Sequence, residues 1–260
     1  MLKGIEYLEA PGEEYLALDS ARAAELGMEG FRLLGEEEFP GDGGVKWGCE
    51  YETWCVNPMV YCCFLMRTFV LNGGRVVKRE VKGVEEVFGM REELGVEEVG
   101  IVVNATGYGL GGDENMFVTR GQTVLVANGC DATVTRQNQD GSWSFCVPRG
   151  FDGGTVIGGT KEPDNWETEP SREVRERLLK KFAETYPATL GEGGGEYRVL
   201  ADIVGRRPTR RGGPRIELEI LAGDKAVMHA YGLGGRGYEL SWGVAEEVAR
   251  QIEAHLRAKE

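Results

Sequence analysis

The chain has 260 residues, enough for one large domain or two ordinary ones with a sizeable core. Its formal net charge of −13 repels phosphate backbones and excludes nucleic acid as an expected partner, while small ligands remain open because they respond to local charge. No apolar run has the length of a membrane span, the N-terminus lacks a secretory signal pattern, and only two histidines accompany six cysteines without Cys-x-x-Cys spacing, so the reading is an intracellular protein with reduced thiols and no metal site or disulfide framework.

In chain order, Asp19 caps a short helix that runs to Leu26 and stops at Gly27. Asn57 followed by Pro58 opens a longer helix with an apolar face of Val60, Tyr61, Phe64, Leu65 and Leu71, ended by Asn72-Gly73-Gly74. Arg75 to Glu80 reads as a short strand, and Val84 to Phe88 as a short helix. The β-branched run Ile101-Val102-Val103 predicts a strand buried on both faces, as in a parallel sheet. Gln122 to Val126, Ser142 to Val147, Thr155 to Ile157 and Tyr197 to Val204 read as strands of a large antiparallel or mixed sheet. One helix lies among them, capped by Ser171, with Val174, Leu178, Phe182 and Tyr186 on its core face. Strands at Ile216 to Leu221 and Ala226 to Tyr231 lead through a glycine loop to a last helix with Val244, Val248 and Ile252 on one face. No linker separates consecutive domains, so the expected organisation is two interleaved domains.

Three stretches carry chemistry. Val102 to Gly107 is a strand ending in small residues, where an open α/β sheet accepts a ligand, and Gly107, Gly109 and Gly112 have Gly-x-Gly-x-x-Gly spacing. Asp113-Glu114-Asn115 follows in place of a helix, so a plain strand-to-loop turn is the alternative. Gly232 to Tyr238 has the same spacing between a strand and a helix. A complete dinucleotide motif cannot follow, because no second strand with a ribose-binding acid fits after it. What remains is backbone N–H groups and a helix dipole aimed at an electron-rich group, or else a hinge. Gly205 to Arg215 packs five arginines into a short run, which suits bidentate recognition of a carboxylate or phosphate, or else is a solvated turn.

Taken together, Val102-Val103-Asn104-Ala105-Thr106-Gly107, Arg120-Gly121-Gln122-Thr123-Val124, Val204-Gly205-Arg206-Arg207-Pro208, His229-Ala230-Tyr231-Gly232 and Gly237-Tyr238-Glu239-Leu240-Ser241-Trp242-Gly243 resemble the D-amino-acid oxidase family. The resemblance extends over nearly the whole chain, including Val45-Lys46-Trp47-Gly48 and Gly158-Gly159-Thr160. It implies an α/β (mixed α+β) flavoprotein of the FAD-linked oxidoreductase fold. A large mixed β-sheet substrate domain (residues 1–55 and 113–215) would accompany an incomplete Rossmann-like FAD-binding domain (residues 56–112 and 216–260). The implied reaction oxidises a D-amino acid with FAD and molecular oxygen, giving a 2-oxo acid, ammonia and hydrogen peroxide. The cofactor carries this chemistry, so no side chain need act as general base.

By the same resemblance, Arg207 grips the substrate carboxylate and Gly235 lies in the loop beside flavin and substrate. Asn104, Ala105, Thr106, Gly107, Arg120, Gly121, Gln122, Gly234, Arg236, Gly237, Tyr238 and Glu239 are flavin-side positions, and Val81 contacts the adenine side. The helix near Ser241 would stabilise negative charge on the reduced flavin. Phe145 replaces a tyrosine that meets the carboxylate in known members. Lys161 stands near a second active-site tyrosine of some members, and its cation suits an acidic substrate, which makes D-aspartate oxidase specificity the alternative. The family's first strand and glycine-rich pyrophosphate loop are not matched, so weak FAD retention is expected, and a second alternative is an inactive remnant that binds a carboxylate or a partner. That mismatch also leaves the strand at Ile101 to Asn104 with an open edge. Peroxisomal residence is typical of the family, whereas the C-terminal Leu256 to Glu260 lacks a Ser-Lys-Leu signal and reads as cytoplasmic. The resemblance implies no membrane or nucleic-acid partner and is compatible with a homodimer.

Overall fold

The computed structural model describes residues 1–191 and 194–259, which leaves Glu260 of the C-terminal signal reading outside the described residues. In chain order its elements begin with β1 (Leu2–Leu8), α1 (Glu13–Leu16), α2 (Ser20–Glu25), β2 (Arg32–Leu33), β3 (Trp47–Thr53) and α3 (Pro58–Leu71). There follow α4 (Val84–Phe88), α5 (Arg91–Leu94), β4 (Ile101–Asn104), β5 (Met116–Val126), β6 (Ala132–Gln137), β7 (Trp143–Pro148) and β8 (Thr155–Gly158). The last are β9 (Glu162–Pro163), α6 (Arg172–Thr185), β10 (Val199–Arg210), β11 (Arg215–Ile220), β12 (Ala226–Tyr231) and α7 (Ser241–Arg257). None of the described helices is long and apolar enough to cross a membrane. The chain divides into two units, one of Met1–Asn57, Arg120–Glu162 and Glu167–Gly205, the other of Pro58–Thr119, Pro163–Trp166 and the chain from Arg206 onward.

The first unit is built on a mixed sheet of strand order β10-β5-β8-β7-β6-β1-β3-β2, with β9 beside β5. Along β6 the residues alternate between buried Ala132, Val134 and Arg136 and half-buried Thr133, Thr135 and Gln137, the period of a strand with one face on a core. β6 and β7 form a hairpin with Val134 opposite Cys146 and Gln137 opposite Trp143. At its tip the Asp140 carboxylate accepts from the Ser142 N–H, and Gly141 takes a positive φ of 78° that a side chain would resist. β1 runs parallel to β6 and antiparallel to β3. α6 closes one face: Leu178 and Phe182 join Ile5, Tyr7, Val124, Val126, Val134 and Ile157 in one core. Its start is set by Ser171, whose hydroxyl accepts from the Val174 N–H.

The second unit contains a three-stranded sheet of order β11-β12-β4. β11 and β12 pair antiparallel from Arg215–Tyr231 to Ile220–Ala226, and β12 runs parallel to β4 from Ala226–Ile101 to His229–Asn104. All six residues of β12 are buried, and α7 packs on β11 and β12 with Val244, Val248 and Ile252 half-buried.

Several expectations need correction. β4 is parallel and lies at the edge of its sheet, as expected, but Val103 is 45% exposed, so the strand is not buried on both faces. α3 starts at Pro58 and ends before Asn72 as expected, yet none of its residues is buried: helical spacing reports an apolar face, not what covers it. No strand forms over residues 75–80, where Val76 and Val77 are exposed and Arg79 pairs with Glu93 instead. A strand exists only where a neighbour accepts its hydrogen bonds, and among the described residues this stretch has none. The arginine run is not a turn as far as Arg210; β10 carries it in extended form, and the turn falls at Arg211-Gly212-Gly213. β1, β3 and β6 carry much of the first core although the sequence reading assigned no strands there.

Candidate active site

In the second unit β4 and β12 run in parallel, so their carboxyl ends open side by side into two glycine loops. The loops are tied together: the Gly232 N–H donates to the Gly107 carbonyl at 3.0 Å. Gly107, Gly232 and Gly234 have φ of 80°, 82° and 59°, the left-handed region where glycine is favoured. The end of β10 is laid against them. A Cβ at Gly107 would stand 3.2 Å from the Pro208 ring, and one at Gly235 would stand 3.5 Å from Arg207 Cδ and 3.8 Å from its Nε. A lone antiparallel bridge joins Thr209 to Leu233. Three stretches that are far apart in sequence therefore meet at Arg207, Pro208 and the Gly234-Gly235 backbone. Burial lowers the pKa of the half-buried Arg207 from its ordinary value. Arg206 faces elsewhere. Its guanidinium lies 5.9 Å from the Trp166 ring centre, Tyr108 stacks on Trp166 at 5.5 Å, and the Tyr108 hydroxyl donates to the Arg206 carbonyl.

Behind the loops lies a cavity of about 510 Å³ bounded by alternate residues of β12, Val227, His229 and Tyr231, and by Asn104, Arg215 and Glu219. Its polar groups form one chain of contacts. The Thr106 N–H, which can only donate, points to Asn104 Oδ1, and the Thr106 hydroxyl reaches the same oxygen at 2.8 Å. Asn104 therefore turns its NH₂ to His229 Nδ1 at 3.4 Å. Nδ1 is then an acceptor, which puts the imidazole hydrogen on Nε2, 2.9 Å from Glu219. The His229 contact and Arg215 hold the Glu219 carboxyl below the usual range. Arg215 reaches the Tyr231 hydroxyl, which donates to Asp113, and Asp113 also pairs with Arg210 at 2.8 Å. The Arg210 bond holds the Asp113 carboxyl at about 2.

The other expected site residues are distributed as follows. Gly234, Gly235 and Arg236 form a 3-10 turn, followed by Gly237, exposed Tyr238 and Glu239, with Glu239 3.8 Å from Arg236. α7 then begins without a side-chain cap. Ala105 and Thr106 are exposed, and Val81 is partly buried in an irregular stretch. Arg120, Gly121 and Gln122 belong to the first unit. Arg120 is buried against Glu162 and the carbonyls of Glu167 and Glu169, and Gln122 makes two bonds to the backbone of Ser171. Both side chains thus brace the segment from Glu162 to Ser171. Phe145 and Lys161 also belong to the first unit. Phe145 is half-buried with its ring over Gly158, where a Cβ would collide with it. Lys161 is exposed. His229, Tyr231, Asp113, Arg210 and Glu219 were missed as site residues. Period-two spacing along Ala226 to Tyr231 signals that His229 and Tyr231 share a face, but their partners follow only from strand register.

Both loops are glycine where they approach each other, and the Gly232 loop leads into an uncapped helix start, an end that favours negative charge. Among the described residues, a strand, a glycine turn and a helix of at least eight residues follow one another only at β12, Gly232 and α7.

Residues 4–251 match the family model described as DAO, FAD dependent oxidoreductase. The chain is 44% identical over 259 residues to a D-aspartate oxidase of Talaromyces thermophilus, covering 100% of this chain and 68% of that protein. It is 34% identical to a D-amino-acid oxidase of Rubrobacter xylanophilus, covering 98% of this chain and 72% of that protein. Its fold matches that of the L-alpha-glycerophosphate oxidase of Mycoplasma pneumoniae, solved with FAD bound, at a TM-score of 0.69 and 16% identity, over 97% of this chain and 73% of that one. With the mixed α/β architecture and the glycine-lined strand ends, these matches identify the chain as a member of the DAO family of FAD-dependent oxidoreductases.

Proposed function

We propose that the protein oxidises D-amino acids to 2-oxo acids, with release of ammonia and hydrogen peroxide. The observation that carries this reading is the half-buried Arg207 guanidinium beside the side-chain-free Gly235, in a chain whose relatives are named D-amino-acid and D-aspartate oxidases. FAD would be held at its ring end by the Gly234-Gly235 turn and the start of α7, and would supply the hydride-accepting and oxygen-reducing chemistry. Arg207 binds the substrate carboxylate through its planar fork, and Pro208 stiffens the backbone behind it. The Gly234-Gly235 backbone lets the reacting carbon come close. The start of α7 stabilises negative charge on the reduced ring.

A second reading, specificity for acidic D-amino acids, is favoured by the 44% identity to a D-aspartate oxidase. The test is peroxide release from D-aspartate, D-alanine and L-aspartate by the chain supplied with FAD. D-aspartate is expected to be the best substrate and L-aspartate inert. Preference for D-alanine would remove the acidic reading, and turnover of the L-enantiomer alone would remove the proposal.

A further inference from the structure

Cys130 and Cys146 form a thiol pair in the first unit. Their sulfurs are 3.6 Å apart, and both point at the Ala132 carbonyl, at 3.0 Å from Cys130 and 3.5 Å from Cys146. Cys146 is fully buried and held by register opposite Val134 in the β6–β7 hairpin. Cys130 precedes β6 and is only partly buried, whereas Cys146 is closed off. Both are free thiols in this structure.

We propose that this pair is an oxidation site that reacts with hydrogen peroxide to form a Cys130–Cys146 disulfide. In the first step the Cys130 thiolate attacks one peroxide oxygen. An S–O bond forms, the O–O bond breaks, and the departing hydroxide takes a proton to become water. Cys146 then attacks the sulfenic sulfur. An S–S bond forms, the S–O bond breaks, and the Cys146 proton leaves with the hydroxyl as a second water. Two thiols are oxidised by two electrons and one peroxide is reduced. The sulfurs have to close from 3.6 Å to about 2.05 Å. The roles follow from the surroundings. A hydrogen bond from Cys146 lowers the Cys130 pKa, which favours its thiolate, while the same contact and burial raise that of Cys146. Cys49, by contrast, is buried with its pKa pushed up to about 12, and it has no thiol neighbour among the described contacts. The site stands on this geometry alone; if the proposed activity holds, the oxidant is also the protein's own product.

The test treats reduced protein with a few-fold excess of hydrogen peroxide, blocks remaining thiols, and digests without reduction for mass spectrometry. The expected result is a Cys130–Cys146 cross-linked peptide lighter by two hydrogens, reversed by dithiothreitol, and a higher unfolding temperature for the oxidised form because the bond closes the hairpin loop. Cys130→Ser should abolish both signals and Cys49→Ser neither. Should Cys146→Ser fail to fold, Cys146→Ala serves in its place, and the wild-type peptide map stands without either. Cys130 recovered as sulfinic acid with Cys146 still a thiol, or a cross-link involving Cys55, Cys62 or Cys63, would overturn the proposal.

Discussion

Two neighbouring arginines with different surroundings are the sharpest contrast at the residue scale. Arg207 is half-buried along the Gly234-Gly235 turn, and Arg206 is exposed over Trp166. A charge-assisted hydrogen bond is worth about 1.5–3 kcal/mol, so Arg207→Ala is expected to raise the KM for a D-amino acid at least about tenfold, and Arg206→Ala much less. Steady-state kinetics on the two variants decides it; equal effects would mean that the carboxylate is held elsewhere. The Asn104 contact makes a second prediction. Because a backbone N–H fixes Asn104 Oδ1, His229 should carry its hydrogen on Nε2, visible in the ¹⁵N shifts of its ring. Asn104→Asp replaces the donor at Nδ1 by an acceptor and should place a hydrogen there. Unchanged shifts in that variant would refute the assigned orientation. Arg207 and Gly235 were named from the family resemblance, because arginine and glycine spacing alone leaves a solvated turn and a hinge equally open. His229 was not, since a lone histidine in a strand acquires a role only from the residue that register sets opposite.

At the scale of elements, Asp113 ties the loop before β5 to β10 through Arg210 and to β12 through Tyr231. Its pKa is depressed in the folded chain, so its contribution to stability is present above the unfolded value of about 4 and is lost as pH falls toward about 2. Urea unfolding of wild type and Asp113→Asn should therefore show a wild-type margin at neutral pH that shrinks below about pH 4 and vanishes near about pH 2. A margin constant through that window would mean the carboxylate is not bound as described. Capping and periodicity read the helices well: Asp19, Pro58 and Ser171 each stand where a helix starts. Strands were less legible. Leu2–Leu8 buries four of its seven residues between β3 and β6, but its pattern is not a clean alternation, and a strand's burial depends on neighbours distant in the chain. The stretch 75–80 shows the converse, a β-like composition without a partner.

For the whole molecule, FAD makes two different demands, one at its ring and one at its pyrophosphate. The described residues supply one glycine turn at the start of a long helix, and the ring-end reading uses it. The outer face of α3 is also open, with Phe64 59% and Leu71 74% exposed. The 260-residue chain mixed with FAD is expected to keep less than one flavin per chain through gel filtration. One tightly held flavin would show that these residues suffice for the whole dinucleotide. By itself the sequence determined the family, the α/β class, the helix starts and the glycine loops, because each rests on local chemistry or on motifs whose order is written along the chain. Only the tertiary structure decided that one face of β4 is exposed, that α3 is uncovered, and that Asn104, His229 and Glu219 form one hydrogen-bonded row. It alone also brought Cys130 and Cys146 into contact. Those facts depend on which strand lies beside which and in what register, and pairing between distant segments is set by the summed burial of the fold and not by any stretch of residues read alone.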